Sequence, residues 1–469
     1  GGVTLRPESM RDFRPQGAVN RSPYLRSLVD ALAFVDKAGA EGIGEKEVSQ
    51  QIKARWPELP LDLSIPARDA PRQEERSKVD DILSMVAMPE GAGATPGAAA
   101  GKGLREQIRS LLARVLAEVY ADEAFRTMEA AWRGVEILVR QGPVKDRERL
   151  IVQILPVGRE GLPEMLEEIS SQFSENPPNL ILLDQAFDNT PYSIEVLEKV
   201  VDLAGTLLAP TAVWIGPSFF HLQTWPELSR LPYLKHHLEE SAFAKWRKLG
   251  EQPGSEWLAV TVNRFLVREP YGDANPARPV PFSEREPLWI SPVWALGTLV
   301  AQSIAGFGWP SRFTDYRRIS LNDLAVGSFG GEYPSATETV FTEERIMQFL
   351  EAGITPLVGA IRRDVAFMPK ESTLPGGSLK FQLFFNRIVG HLFSLKDAMG
   401  EAAMQADVGS WLEEALAELF RDTGHEAPSD ISIQAGAAVE GETIPLRIAF
   451  TPPETVLPIS ERLEFSLAW

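Results

Sequence analysis

The sequence predicts an α/β fold in which mixed sheets are flanked by helices, and two observations carry that reading. Along the middle of the chain, short apolar runs alternate with stretches whose apolar residues recur every three or four positions, the pattern of strands joined by helices. Near the end the rhythm changes: residues 431–439, 443–450 and 461–469 alternate with a period of two, as strands with one buried face do. A chain of 469 residues, 44% hydrophobic and 24% charged, has ordinary globular proportions and the length for two or three cores.

Taken in order, residues 3–6 read as a short strand and residues 20–38 as a helix whose apolar face is Leu25, Leu28, Val29, Leu32, Phe34 and Val35. Ser22 followed by Pro23 supplies its start signal, a capping hydroxyl and a proline in the first turn. Four prolines without periodicity make residues 57–71 a linker, and a short helix is expected over 75–88. Residues 89–103, PEGAGATPGAAAGKG, offer almost nothing to pack and read as flexible. Residues 104–139 are helical throughout. A buried strand is expected at 150–155 (LIVQIL), then a helix over 161–173, an apolar run at 180–183, a helix over 194–207 and a strand at 211–215. Residues 256–267 read as one more strand. Residues 294–307 are the most apolar stretch, too short for a hydrocarbon core of about 30 Å, and read as a buried helix. Helices follow over 342–351, 378–399 and 407–421. No internal repeat is visible.

The charge balance, 47 Lys and Arg against 65 Asp and Glu, leaves a net charge of −18 and argues against nucleic acid as a partner. The chain has no cysteine, which removes disulfides, thiolate metal sites and cysteine nucleophiles together. No basic stretch leading into an apolar core opens the sequence, so no signal peptide is expected.

Motifs with a chemical look are better read plainly. In GAAAGK at residues 97–102 the glycines are one residue too close for a phosphate loop, and Gly103 stands where Ser or Thr is needed. Asp184, ending the run LILLD, reads as a turn or helix-capping residue without a partner loop for magnesium. His236 and Glu240 have helical spacing for two metal ligands but no third nearby, and read as a solvated helix face. No serine sits in a G-x-S-x-G elbow. Carboxylate pairs such as Glu167 and Glu168 are expected by abundance alone. Catalytic, cofactor and metal sites are therefore not expected.

One stretch carries more weight: residues 125–139, FRTMEAAWRGVEILV, with Phe125, Glu129, Trp132, Arg133 and Gly134. Read as an amphipathic helix, it directs Phe125, Met128, Trp132, Val135 and Val139 inward. It also resembles a segment of the large sheath subunit of type VI secretion systems, the TssC/VipB/EvpB family. Further similarities follow in that family's order: LLDQAF at 182–187, FAKWR at 243–247 with Trp246 and Arg247, and VTVNRFLVREPYG at 260–272 with Arg264, Pro270, Tyr271 and Gly272. GFGWP at 306–310 with Trp309, TETVFTEERIMQF at 337–349, GITPLV at 353–358 and residues 387–393 complete the series. The sequence departs from the family at residues 119–123 (VYADE) and 387–391 (RIVGH), which points to a divergent branch. At the start of the chain, residues 3–28 with MRDFRP before a P-x-L-x-x-L helix are similar to the small sheath subunit, the TssB/VipA family.

The resemblance implies a sheath-type fold and a non-enzymatic structural subunit, fused from small and large parts, of a cytoplasmic helical contractile sheath. Such a sheath surrounds an inner tube protein, meets a baseplate, and on contraction drives the tube through a membrane. A separate small sheath subunit and a AAA+ disassembly ATPase are further implied partners; direct membrane insertion is not. The implied division is 1–60 for the small-subunit-like strand and helix, 61–103 for a linker with a short helix, 104–425 for the α/β body, and 426–469 for a strand region that links subunits. Val3 and Leu5, Leu446, Ile448 and Phe450, and Leu463, Phe465 and Leu467 are the implied linking strands. A non-contractile baseplate or scaffold protein of the same fold, and an α/β hydrolase with an unrecognised site, are the alternatives.

Overall fold

The computed structural model describes residues 3–61, 97–143, 150–174, 176–328, 333–374, 376–398, 408–436 and 443–469. Most of the expected linker at 57–71, the helix expected over 75–88 and residues 89–96 lie outside these. The chain forms two compact units, residues 1–129 with 270–286, and residues 130–269 with 287–469.

The first unit is built from helices. A 3-10 turn at Met10–Phe13 leads into α1 (Pro15–Arg21), α2 (Pro23–Glu41) and α3 (Glu45–Arg55). The start signal of α2 works as its sequence implies: Ser22 Oγ accepts a hydrogen bond from Leu25 N at 3.3 Å, and Pro23 opens the helix. α4 (Gly97–Ala121) begins inside the stretch expected to be flexible, where consecutive alanines favour helix. Its buried residues Leu104, Ile108, Leu112, Leu116 and Tyr120 recur every four positions and pack against Leu25, Leu28, Ala31, Val35 and Ala38 of α2. Each such aliphatic side chain contributes about 1.5–3 kcal/mol when fully buried. The helix expected over 104–139 breaks at Asp122, whose Oδ1 accepts from Phe125 N at 2.9 Å and caps α5 (Glu123–Gln141). Tyr120 ties the unit together. Its hydroxyl donates to Phe13 O at 2.5 Å, and its ring lies 5.2 Å from Phe125, 5.4 Å from Tyr271 and 5.1 Å from Phe282, the last two brought by the distant segment 270–286. Residues 3–6 do not form a strand; Val3 and Leu5 lie half-buried against this core instead.

The second unit holds the sheets. After α6 (Leu162–Gln172) come β1 (Ile181–Phe187), α7 (Pro191–Leu207) and β2 (Thr211–Ile215). Short helices α8 (Leu234–Leu238) and α9 (Ala244–Glu251) precede β3 (Leu258–Val262), β4 (Phe265–Leu266), β5 (Trp289–Ile290) and α10 (Pro292–Phe307), the buried helix the sequence predicts. α11 (Glu343–Glu351), β6 (Ile354–Pro356), β7 (Val358–Gly359) and β8 (Ala366–Phe367) complete the body. The main sheet runs β1-β2-β3-β6 with every pair parallel, so the α/β class holds. Period-two alternation sorts its faces: Val213, Ile215, Val260 and Val262 pack with Leu197, Val200 and Val201 of α7, while Ala212 and Ala259 pack with Leu296 and Leu299 of α10. Small residues let α10 approach closely; a Cβ on Gly297 would lie 2.4 Å from Leu182. The single strand expected over 256–267 is interrupted at Asn263, whose backbone is left-handed at φ 79°. Its amide donates to Leu357 O at 2.8 Å and Thr339 O at 2.9 Å, and its Oδ1 accepts from Thr339 N, which holds the kink.

The end of the chain forms α12 (Leu379–Ala398), α13 (Val408–Asp422), β9 (Ser432–Ala435), β10 (Pro445–Phe450) and β11 (Leu463–Ala468), with an antiparallel sheet ordered β11-β10-β9. The strands expected as linking arms are therefore paired within the chain: Leu446, Ile448 and Phe450 are in the core, with Leu463, Phe465 and Leu467 packed against it. Among the described residues, no strand pairs with the outer edge of β11.

The strand expected at 150–155 does not form in this chain. Residues 151–160 are all exposed and the segment before Arg159 is neither helix nor strand. An apolar run of six residues signals a strand only if a sheet edge receives it, and among the described residues none does.

Candidate functional site

The motif residues fall into two sets. Those near aromatic clusters are structural anchors. Trp246 is buried with its ring 4.7 Å from Phe219, and Arg247 donates from Nη1 to the carbonyls of Leu238 at 2.8 Å and Glu240 at 2.7 Å, closing the end of α8. Arg264 makes a fork with Glu338, Nε to Oε2 at 2.8 Å and Nη2 to Oε1 at 2.7 Å, beneath the rings of Trp214 and Trp289. Half-buried Pro270 leads into a loop in which Tyr271 N donates to Glu284 Oε2 at 2.7 Å and Gly272 N to Asn275 O at 3.1 Å. Trp309 is fully buried and stacks on Phe420 at 5.0 Å. Asp184 is neither a turn residue nor a cap: it accepts from Ser291 Oγ at 2.5 Å and Trp294 Nε1 at 2.7 Å, fastening β1 to the start of α10. These residues are spread through the fold rather than gathered at one point. His236 and Glu240 are both exposed, and among the described residues no three His, Asp or Glu side chains converge as a metal site would require. No described helix is long and apolar enough to cross a membrane.

The second set lies on α5, and here the expected orientation is overturned. Phe125 is buried as expected, but Met128, Trp132 and Val139 are 41%, 49% and 47% exposed. The inward residues of this helix are Phe125, Glu129, Gly134, Ile137 and Leu138. Gly134 fixes that orientation, since a Cβ there would fall 2.4 Å from the Trp294 ring, and Arg133 pairs with Glu136 at 3.1 Å beside it. Both faces of α5 are apolar, so periodicity alone selects the wrong one. What remains outside is a stripe of Met128, Trp132, half-buried Val135 and Val139 at i, i+4, i+7 and i+11, the spacing by which a helix packs on another element. Ile151, Val152, Ile154, Leu155 and Val157 add a second exposed apolar stretch. The helical periodicity and the strand-like run were both visible in the sequence; nothing there showed that this chain leaves them uncovered.

His391 carries a pH dependence. Burial, with Arg387 adding to it, holds its imidazole below the ordinary 6.5, against the opposing pull of the Ala415 backbone, Asp422 and Glu418. A depressed native pKa favours the neutral ring, so its contribution is present above pH 6.5 and is lost as pH falls through the native value. The melting temperature is expected to drop on acidification below pH 6.5, and His391→Gln to flatten that drop; parallel slopes for both proteins would refute the assignment.

The described residues combine a parallel sheet between helices with two exposed apolar stretches, one on α5 and one at residues 151–157, and no cluster of His, Asp or Glu among them could hold a metal ion. Comparison with known proteins supplies the lineage. The sequence profile of the VipB family (EvpB/VC_A0108, tail sheath N-terminal domain) matches residues 104–374, more than half of the chain, and the chain belongs to that family. It is similar to the type VI secretion system sheath protein TssC1 of Pseudomonas aeruginosa, 24% identical over 302 residues that cover 56% of this chain and 60% of that protein.

Proposed function

We propose that this chain is a structural subunit of a contractile type VI sheath, a helical cylinder around an inner tube that it drives through a membrane on contraction. The observation that carries this beyond family membership is the uncovered stripe on α5, a surface of the kind that subunits bury on assembly. The fusion of small and large sheath parts is supported by the first unit, where α1 to α3 share one core with α4 rather than standing apart. Contacts with an inner tube protein, a baseplate and a AAA+ disassembly ATPase belong to the same reading, as does placement in the cytoplasm. The expected result by negative-stain electron microscopy of purified protein is long striated tubes; discrete particles under all conditions would reject the sheath.

Trp132→Ala separates surface from core. A surface substitution changes stability by about 0.5 kcal/mol or less, so the melting temperature is expected to hold while tube formation fails. A large fall in melting temperature would return Trp132 to the core.

A further inference from the structure

The geometry points to a binding site for inorganic phosphate in a cavity of the second unit, lined by Ser311, Arg312, Thr314, Asp315, Lys380 and Pro458. The cavity has a volume of about 290 Å³, at the small end of ligand pockets, which run from roughly 300 to 1,000 Å³. Pro458 is the one apolar residue of the six, so the lining suits a small hydrated ion and gives an organic ring nothing to stack on. On this wall Arg312 and Lys380 outnumber Asp315, a local positive field in a chain whose net charge is −18. Arg318 adds to it: its guanidinium lies 5.8 Å from the Phe307 ring on which Arg312 packs at 5.5 Å.

The chain holds Arg312 loosely. Charge-assisted bonds run about 2.7–2.9 Å, and Arg264 makes two of them to Glu338, at 2.8 and 2.7 Å. Arg312 instead reaches Asp315 Oδ2 from Nη2 only at 3.4 Å and the Glu454 carbonyl from Nη1 at 3.3 Å, which leaves its planar fork suited to a better acceptor. The backbone beneath is fixed, with Arg312 N donating to Ser303 Oγ at 2.9 Å and Ser311 Oγ donating to Val456 O. Burial holds the Lys380 ammonium below its ordinary 10.5; Glu371 opposes this and Arg312 adds to it, so an anion between the two cations offsets both the burial and their repulsion. Glu371 is committed elsewhere, accepting from Ser378 Oγ at 2.9 Å and from Leu379 N at the start of α12. Asp315 decides which anion enters. Sulfate has no proton at neutral pH and faces this carboxylate unpaired, whereas phosphate keeps a proton on one oxygen, which donates to Asp315 while the others accept from Arg312 and Lys380.

The test is calorimetric titration of the purified chain at neutral pH with inorganic phosphate and, at equal ionic strength, with sulfate. Saturable heat with phosphate at a single site per chain, and none with sulfate over the same range, is the expected result. No saturation with phosphate, or equal affinity for the two ions, overturns the site. Arg312→Gln and Lys380→Met each remove a charge-assisted bond and are expected to weaken phosphate binding by about tenfold or more. Lys380→Met keeps the aliphatic stem and is expected to melt as the parent does, so it carries the test should Arg312→Gln misfold. Unchanged phosphate affinity in folded Lys380→Met places the ion elsewhere and overturns the assignment. Asp315→Asn is expected to admit sulfate, its amide donating where the carboxylate repelled; continued exclusion of sulfate overturns the role given to Asp315.

Discussion

Trp309→Ala is expected to cost about 3–5 kcal/mol, the range for removing a large aromatic from a packed core. The loss is concentrated because Trp309 joins elements far apart in sequence. Its ring stacks on Phe420 of α13 at 5.0 Å, lies 5.3 Å from Phe384 of α12, and carries the Arg387 guanidinium 4.6 Å over its face. Its Nε1 donates to Thr423 Oγ1 at 2.8 Å and its carbonyl accepts from Ser303 Oγ at 2.6 Å. In a domain of this size such a loss lowers the melting temperature by roughly 10 °C. Trp309→Phe, keeping most of the ring contacts without the indole N–H, is expected to fall between. A thermal melt of the alanine variant within a degree or two of the parent would show that the surrounding rings collapse into the space.

Removing residues 461–469 is expected to unfold the C-terminal sheet and its helices. β11 pairs with β10 along its whole length, Trp469 is buried, and its Nε1 donates to Leu392 O at 2.8 Å. Trp469 and Ile444 also exchange backbone hydrogen bonds of 2.7 and 2.9 Å. Without the strand, Leu446, Ile448 and Phe450 lose cover on a three-stranded sheet, which has no reserve of area. The truncated chain should be insoluble, or soluble with reduced circular dichroism and a lost cooperative melt. A soluble product with the parent's spectrum would make the segment a dispensable arm.

The contrast between Trp309 and Trp132 shows what can be read from a sequence alone. The order of strands and helices was legible because burial against a sheet or helix imposes a period, and that period survives wherever the partner surface belongs to the same chain. The start of α2 was legible from Ser22 and Pro23, where the cap is a local hydrogen bond. Trp132 and residues 150–155 were misplaced for one shared reason: an apolar side chain left exposed carries the same signal in the sequence as one packed into the core. The kink at Asn263 was missed because its partners, Thr339 and Leu357, lie far along the chain. Gly134 was legible as a motif residue, but its purpose, admitting the ring of Trp294, required the neighbouring helix.

The segment 270–286 also sets a schedule for biosynthesis. Ala277, Val280 and Phe282 fill the core of the first unit around Tyr120, yet the whole stretch from residue 130 to 269 is synthesised between them. At roughly 5–20 residues per second, about ten to thirty seconds separate the emergence of α4 from that of its last packing partners. During that interval the ring of Tyr120 lacks Tyr271 and Phe282, and the helical unit must wait, half-lined, on the ribosome. Slow codons placed before residue 270 are therefore expected to lengthen the time for which the apolar face of α4 is only partly covered.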